Sequence, residues 1–127
     1  YADALTSLSL PGVTFAPVTF TPTSSDWSGQ LCGGVQLTVT DRDAFDPVRT
    51  GMHMLKVAYS LYPSQVTMTS YVGTLMAVPN LQNRIKTESV DAIIAGWQTN
   101  LAQYQTLHSS YLLYPDGPSR IGEWNLY

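Results

Sequence analysis

A chain of 127 residues has room for one domain with a modest core, because a second folding unit would leave neither half enough interior. Apolar residues make up 44% of it and charged residues only 12%, well under the usual quarter or so, so its surface is either covered by something or solubilised by Thr, Ser, Gln and Asn. The net charge of −3 and the six scattered Lys and Arg exclude the basic footprint of a nucleic-acid or anionic-membrane binder. The single cysteine excludes an internal disulfide and a cysteine-based zinc site, and leaves the redox compartment open. No apolar run is long enough for a bilayer span. The first residue is Tyr1, so we expect a processed chain or a piece of a longer one; no signal peptide is visible.

The opening "ADALTSLSLPGV" reads as the end of a helix, with Ala4, Leu5 and Leu8 apolar and a stop at Pro11-Gly12. In "VTFAPVTFTPT", Val13, Phe15, Val18 and Phe20 alternate while Pro17 and Pro22 interrupt. Proline cannot donate to a ladder, which makes this an edge or bulged strand. "SSDWSGQ" is a loop by composition. "GVQLTVTD" is the cleanest strand, with Val35, Leu37 and Val39 on one face and Gln36, Thr38 and Thr40 on the other.

Asp46-Pro47 then opens a helix over 47–62, the aspartate as N-cap and the proline in the first helical position. Val48, Met52, Leu55, Tyr59 and Tyr62 recur as one stripe, opposite Arg49, His53, Lys56 and Ser60. We expect Met52, Leu55 and Tyr59 to pack on the sheet containing residues 35–39. "QVTMTSYV" offers a further short strand, and "PNLQNRIKT" a short helix around Leu81 and Ile85. The last helix begins near Ser89, with Asp91 suiting the macrodipole in its first turn. Its stripe runs Val90, Ile94, Trp97, Leu101, Tyr104, His108 and Tyr111, and it breaks at Tyr114-Pro115. No repeat or linker intervenes. The fold class is α+β: a small mixed sheet packed by two to three amphipathic helices in one domain.

The densest cluster of chemistry-bearing side chains is Asp41, Arg42, Asp43 and Asp46, at the strand-to-helix turn. A calcium loop wants oxygen ligands at alternate positions, then a glycine and a late bidentate glutamate; here Phe45 takes the third ligand place and no glutamate follows. A turn-and-cap role suits Asp43 and Asp46 better. Asp41 and Arg42 either fix the turn as an ion pair or offer polar groups to a ligand. We expect no metal and no cofactor.

Glycoside hydrolysis needs two carboxyl groups flanking one bond. The two glutamates, Glu88 and Glu123, lie in weak contexts, and no acid pair sits on adjoining strand ends. Cys32 has no histidine marked as its base. His53 reads as a solvated histidine and His108 as one at the edge of a core. "LCGGV" lacks the Lys and the glycine spacing of a phosphate loop. We therefore expect no catalytic residue in this chain. What remains is "TFTPTSSDWSGQ", whose hydroxyls, amide and Trp27 form the mixture a sugar-binding surface uses.

Taken in order, "LPGVTFAPVTFTPT" at 10–23, "GQLCGGVQLTVTDRDAFDPVRTG" at 29–51, "LYP" at 61–63 and "WQTNLAQYQTLHSSYLLY" at 97–114 resemble the C-terminal domain of the NamZ-type exo-β-N-acetylmuramidases. The resemblance covers 1–114 and leaves 115–127 as a C-terminal tail. It implies an accessory domain that packs on an N-terminal Rossmann-like catalytic domain and walls one side of a sugar cleft. The enzyme it implies removes terminal N-acetylmuramic acid from peptidoglycan fragments outside the cytoplasm. The positions shared with the family pattern are Pro22, Thr23, Gly29, Cys32, Gly34, Val35, Asp41, Arg42, Pro47, Trp97 and Tyr111.

Departures fall in the loop. Ser24 stands where the family commonly has an aromatic, and Asp26-Trp27 where it often has a basic residue and Tyr. His108 replaces a frequent Arg or Lys. Asp26 would repel the lactyl carboxylate of muramic acid. The substrate-contact candidates are Thr23, Trp27, Gln30, Asp41 and Arg42. Two other classes stay open: an autonomous carbohydrate-binding module working through the 21–30 loop, and an interaction domain without a sugar role. An accessory domain should also expose an apolar patch, for which the 13–22 strand and the 111–127 end are the candidates.

Overall fold

The structure, a computed structural model, describes residues 1–114; the expected tail at 115–127 lies outside the described residues. The elements run α1 (Ala2–Thr6), β1 (Val13–Phe20), β2 (Cys32–Val39), α2 (Pro47–Leu61), α3 (Tyr71–Leu75), α4 (Leu81–Thr87) and α5 (Val90–Ser109). The fold is α+β, as expected. It packs as two compact units, one from Tyr1 to Leu61 and one from Tyr62 onward.

The first unit is built on one hairpin. β1 and β2 pair antiparallel, from Val13↔Val39 to Phe20↔Cys32. Among the described residues, the mixed sheet packed by two to three helices that the sequence led us to expect is therefore corrected to a two-stranded antiparallel ribbon accompanied by five helices. Alternation places Val13 and Phe15 on the covered face, opposite Val39 and Leu37, and both side chains are buried. Pro17, paired with Val35, leaves the strand unbroken, because each strand of a ribbon keeps one edge outside the ladder. Leu5 of α1 completes a core cluster with Val13 and Phe15, and Met54 and Val57 of α2 pack against it. The Tyr1 hydroxyl ties the two helical segments by donating to the Met54 carbonyl at 3.0 Å.

That packing corrects the expected α2 stripe. Met52 is fully buried, yet the side chains on the cluster are Met54 and Val57. Residues 53–59 are all half-buried, so α2 has no clean polar face. A stripe read from apolar spacing assumes one buried side, and this helix does not keep one.

In the second unit, the segment at 65–72 joins no strand. Burial alternates, with Val66 and Met68 half-buried and Thr67 and Thr69 exposed, but helix α3 starts at Tyr71. Alternation reports a covered face; a strand also needs a partner edge. α3 ends against its own continuation: the Gly73 carbonyl accepts from Val78 N at 2.9 Å, and a Cβ on Gly73 would lie 2.8 Å from the Val78 carbonyl. α4 buries Leu81 and Ile85, one turn apart. The Ser89 side chain caps α5 by accepting from Ala92 N at 3.1 Å, the hydroxyl satisfying one of the orphan donors of the first turn. α5 buries Val90, Ile93 and Ile94.

The Arg84 guanidinium grips Glu88 with two hydrogen bonds of 2.8 Å. This hydrogen bonding, with the guanidinium charge behind it, holds the Glu88 carboxyl below its ordinary range, while partial desolvation opposes the shift. A carboxyl with a depressed folded pKa stabilises fully above its unfolded pKa, and loses that contribution as pH falls through the folded value. Glu88→Gln should therefore lower Tm at neutral pH, and the gap to the parent should close in acid; a gap that widened in acid would contradict the pairing. Backbone geometry generates a second expectation. Gly12 has φ +70°, and a Cβ on it would lie 2.4 Å from the Asp41 carbonyl oxygen, whereas one on Gly33 meets nothing. Gly12→Ala should cost more than about 1 kcal/mol in urea unfolding, and Gly33→Ala should be neutral or stabilising.

Candidate functional site

The turn after β2 is held from both sides. The Gly12 carbonyl accepts from Thr40 N at 2.9 Å and from Asp41 N at 3.3 Å. Oδ1 of Asp41 accepts from the Asp43 and Ala44 amides at 2.9 and 3.2 Å, and its carbonyl from Phe45 N at 3.1 Å. Asp46 then caps α2 by accepting from Arg49 N at 2.9 Å, and its Oδ2 lies 3.8 Å from Arg49 Nε. Asp41 and Asp46 thus work as turn and cap residues, as side chains that mimic a backbone acceptor do; the turn role expected of Asp43 falls to Asp41, whose Oδ1 receives the Asp43 amide. Arg42 is exposed beside them. Among the described residues, no group of three His, Cys, Asp or Glu is arranged to hold a metal ion.

The loop between the strands has a different character. Its ends are drawn together by Gly29 N donating to the Pro22 carbonyl at 2.9 Å, and its tip by Ser28 N and Gln30 N donating to the Ser25 and Trp27 carbonyls. Ser25 and Trp27 both take positive φ, 67° and 62°. For a bulky aromatic that conformation is an outlier costing about 1–2 kcal/mol. The indole nevertheless stays 67% exposed. A strained backbone that holds a large apolar side chain in water is the pattern of a presented contact residue. Thr23, Ser24, Asp26 and Gln30 surround it in sequence and are exposed as well.

The five candidates fall into two groups. Thr23, Trp27 and Gln30 lie beyond Phe20↔Cys32, while Asp41 and Arg42 lie beyond Val13↔Val39. The ribbon between these pairs rises about 3.4 Å per residue, which sets its ends roughly 24 Å apart. One sugar residue cannot touch both. The loop group keeps its side chains outward, and the turn group gives Asp41 to the backbone.

Two features escaped the sequence pattern. Tyr104 and His108 stack, with ring centroids 5.3 Å apart and planes at 17°. Their i,i+4 spacing permitted this, but a core role was the simpler expectation for both. A shallow pocket of about 370 Å³ between residues 70 and 82 is lined by Ser70, Thr74, Asn80 and Gln82 among others, and carries no aromatic side chain. Cys32, half-buried, sits at the start of β2 with Sγ 3.5 Å from the Gln30 carbonyl.

The family model described as "Exo-beta-N-acetylmuramidase NamZ, C-terminal" matches residues 1–114. The chain belongs to this family. It is 42% identical over 115 residues to the peptidoglycan beta-N-acetylmuramidase NamZ of Bacillus subtilis strain 168, an alignment covering 88% of this chain and 28% of that protein. The chain thus spans little more than a quarter of that relative's length. The crystal structure of a DUF1343 family protein from Bacteroides fragilis is similar with a TM-score of 0.72 at 19% identity, over 90% of this chain and 33% of that one. At that identity the likeness concerns the fold alone.

The turn geometry separates Asp41 from Arg42. Asp41→Ala strips two amides of their acceptor and should cost about 1 kcal/mol, whereas Arg42→Ala should change stability by less than about 0.5 kcal/mol. Equal losses in chemical denaturation would show that the pair acts as an ion pair instead.

Proposed function

We propose that this chain is the accessory, substrate-positioning domain of an exo-acting glycosidase that releases terminal N-acetylmuramic acid from peptidoglycan fragments. In this reading it is not catalytic alone. Its partner is the remainder of the family enzyme, a Rossmann-like catalytic domain on the same or a separate chain. The activity comes from the family description and from the named Bacillus subtilis relative. The observation that carries a sugar-contacting role here is Trp27, held exposed at positive φ in a hydroxyl-rich loop. An indole offers a flat apolar face to the C–H groups of a pyranose, while Thr23 and Gln30 supply hydrogen-bonding partners for its hydroxyls and acetamido group.

The carboxylates support the non-catalytic half. A general acid must keep its proton near neutral pH. Glu88 is held ionised by Arg84, and Asp41 and Asp46 accept backbone amides as turn and cap residues. Asp26, exposed and next to Trp27, adds an acidic side chain to the loop. It disfavours the lactyl carboxylate of muramic acid, so a preference for a fragment whose carboxyl is amidated or turned away follows from it.

Titrating the chain with peptidoglycan fragments ending in N-acetylmuramic acid, while following tryptophan fluorescence, tests this. Trp27→Gly should weaken binding several-fold while leaving Tm level or raising it, because glycine relieves the positive φ. Asp26→Asn should strengthen binding. A titration indifferent to Trp27, or muramic acid release tracking with the pure chain, would remove the proposal in favour of an interaction domain or a self-sufficient enzyme.

A further inference from the structure

The apolar stripe of α5 changes environment half-way along. Val90, Ile93 and Ile94 are buried and Trp97 is half-buried. Beyond it, on the same face, Leu101, Tyr104 and Tyr111 are 41%, 59% and 75% exposed, and Leu107 beside them is 63% exposed. Spacings of four and three keep the stripe aligned. These four side chains leave on the order of 500 Å² of largely apolar surface in water, the size of the largest patch on an ordinary monomer. Leu113 and Tyr114 extend it, exposed in their turn.

The second observation is charge. From Ala92 to Tyr114 the sequence has no Asp, Glu, Lys or Arg. A helix that spends its life in solvent carries such residues on its outer faces. This one offers Gln, Thr, Asn and Ser there, which can be desolvated at much lower cost than ions. The stacked Tyr104–His108 pair also holds two aromatic rings in one arrangement before any partner arrives, which lowers the entropy lost on docking.

We infer that the outer half of α5 from Trp97, together with the turn that follows it to Tyr111, is the surface on which the rest of the family enzyme docks. The inference rests on the accessory-domain reading above and names its interface. The occupant is a neutral, apolar protein surface, because a face without ions gives nothing to a charged peptide, a nucleic acid or an anionic bilayer. The chain aligns with 28% of the Bacillus subtilis relative, so that relative has a remainder long enough to cover this face. Contacts between domains commonly bury about 600–1,500 Å², and this patch supplies the core of one face.

The test uses the 127-residue chain, with the non-aligned remainder of the Bacillus subtilis relative, purified separately, as the probe. Sedimentation should show a complex, and hydrogen exchange should slow at residues 97–111. Leu107→Glu and Tyr111→Lys should each weaken association about tenfold or more. Both side chains are exposed, so the helix content and Tm of the variants should match the parent. A complex whose footprint lies elsewhere and ignores both variants overturns the α5 interface and leaves the accessory reading standing. Absence of any complex overturns both. A dimer of the chain held through α5, or binding to neutral phosphatidylcholine vesicles abolished by the same variants, assigns the face to another occupant and overturns the inference.

Discussion

The first unit depends on the contact between Gly12 and the turn that follows β2. One carbonyl, that of Gly12, receives Thr40 and Asp41, and one carboxylate, that of Asp41, receives the next two amides of the turn. With Gly12 at positive φ and the Asp41 carbonyl inside the space of a Cβ, no other residue fits without moving the chain. The contact joins the start of β1 to the end of β2, so it sets the register of the ribbon. It also delivers the chain to Asp46 in position to cap α2. Cap, turn and register are then one cooperative arrangement rather than three.

A functional division of labour follows from that constraint. Acids spent on holding the open end of the hairpin are poor candidates for chemistry, since an aspartate that accepts two amides has given up much of its capacity for a ligand. The far end carries no such duty. There the loop stores strain at Ser25 and Trp27 and leaves an indole in water. Folding alone would favour glycine at these positions, so the energy stored there is the best physical argument that the loop serves something outside the chain.

The second unit shows a complementary economy. α4 and the first turns of α5 bury their apolar residues, and Arg84 of α4 holds Glu88, the residue that follows the helix, by a bidentate pair. The outer turns of α5 keep the same apolar spacing without anything described to bury it. Low charge, apparent already in the composition, is concentrated here. A surface poor in ions is costly to leave in water but cheap to cover, and this reconciles the chain's few charged residues with its small core.

Local signals were legible in the residues. Asp46-Pro47 announced α2, Ser89 announced α5, and the alternation from Val35 to Val39 announced β2, because caps and periodicities act over one or two turns of chain. Family membership was legible for the same reason, as ordered short motifs. Tertiary structure decided what periodicity leaves open. Val66–Met68 alternated without a partner strand, and α2 set Met54 and Val57, rather than Leu55 and Tyr59, on the hairpin core. The five candidate residues lie within 20 positions in sequence, yet the ribbon parts them into two ends, because an eight-residue strand of fixed rise stands between Gln30 and Asp41. The stripe of α5 read as core along its whole length, and only packing showed where burial stops. Spacing along one element specifies a face; which part of that face meets a neighbour depends on where the neighbour ends.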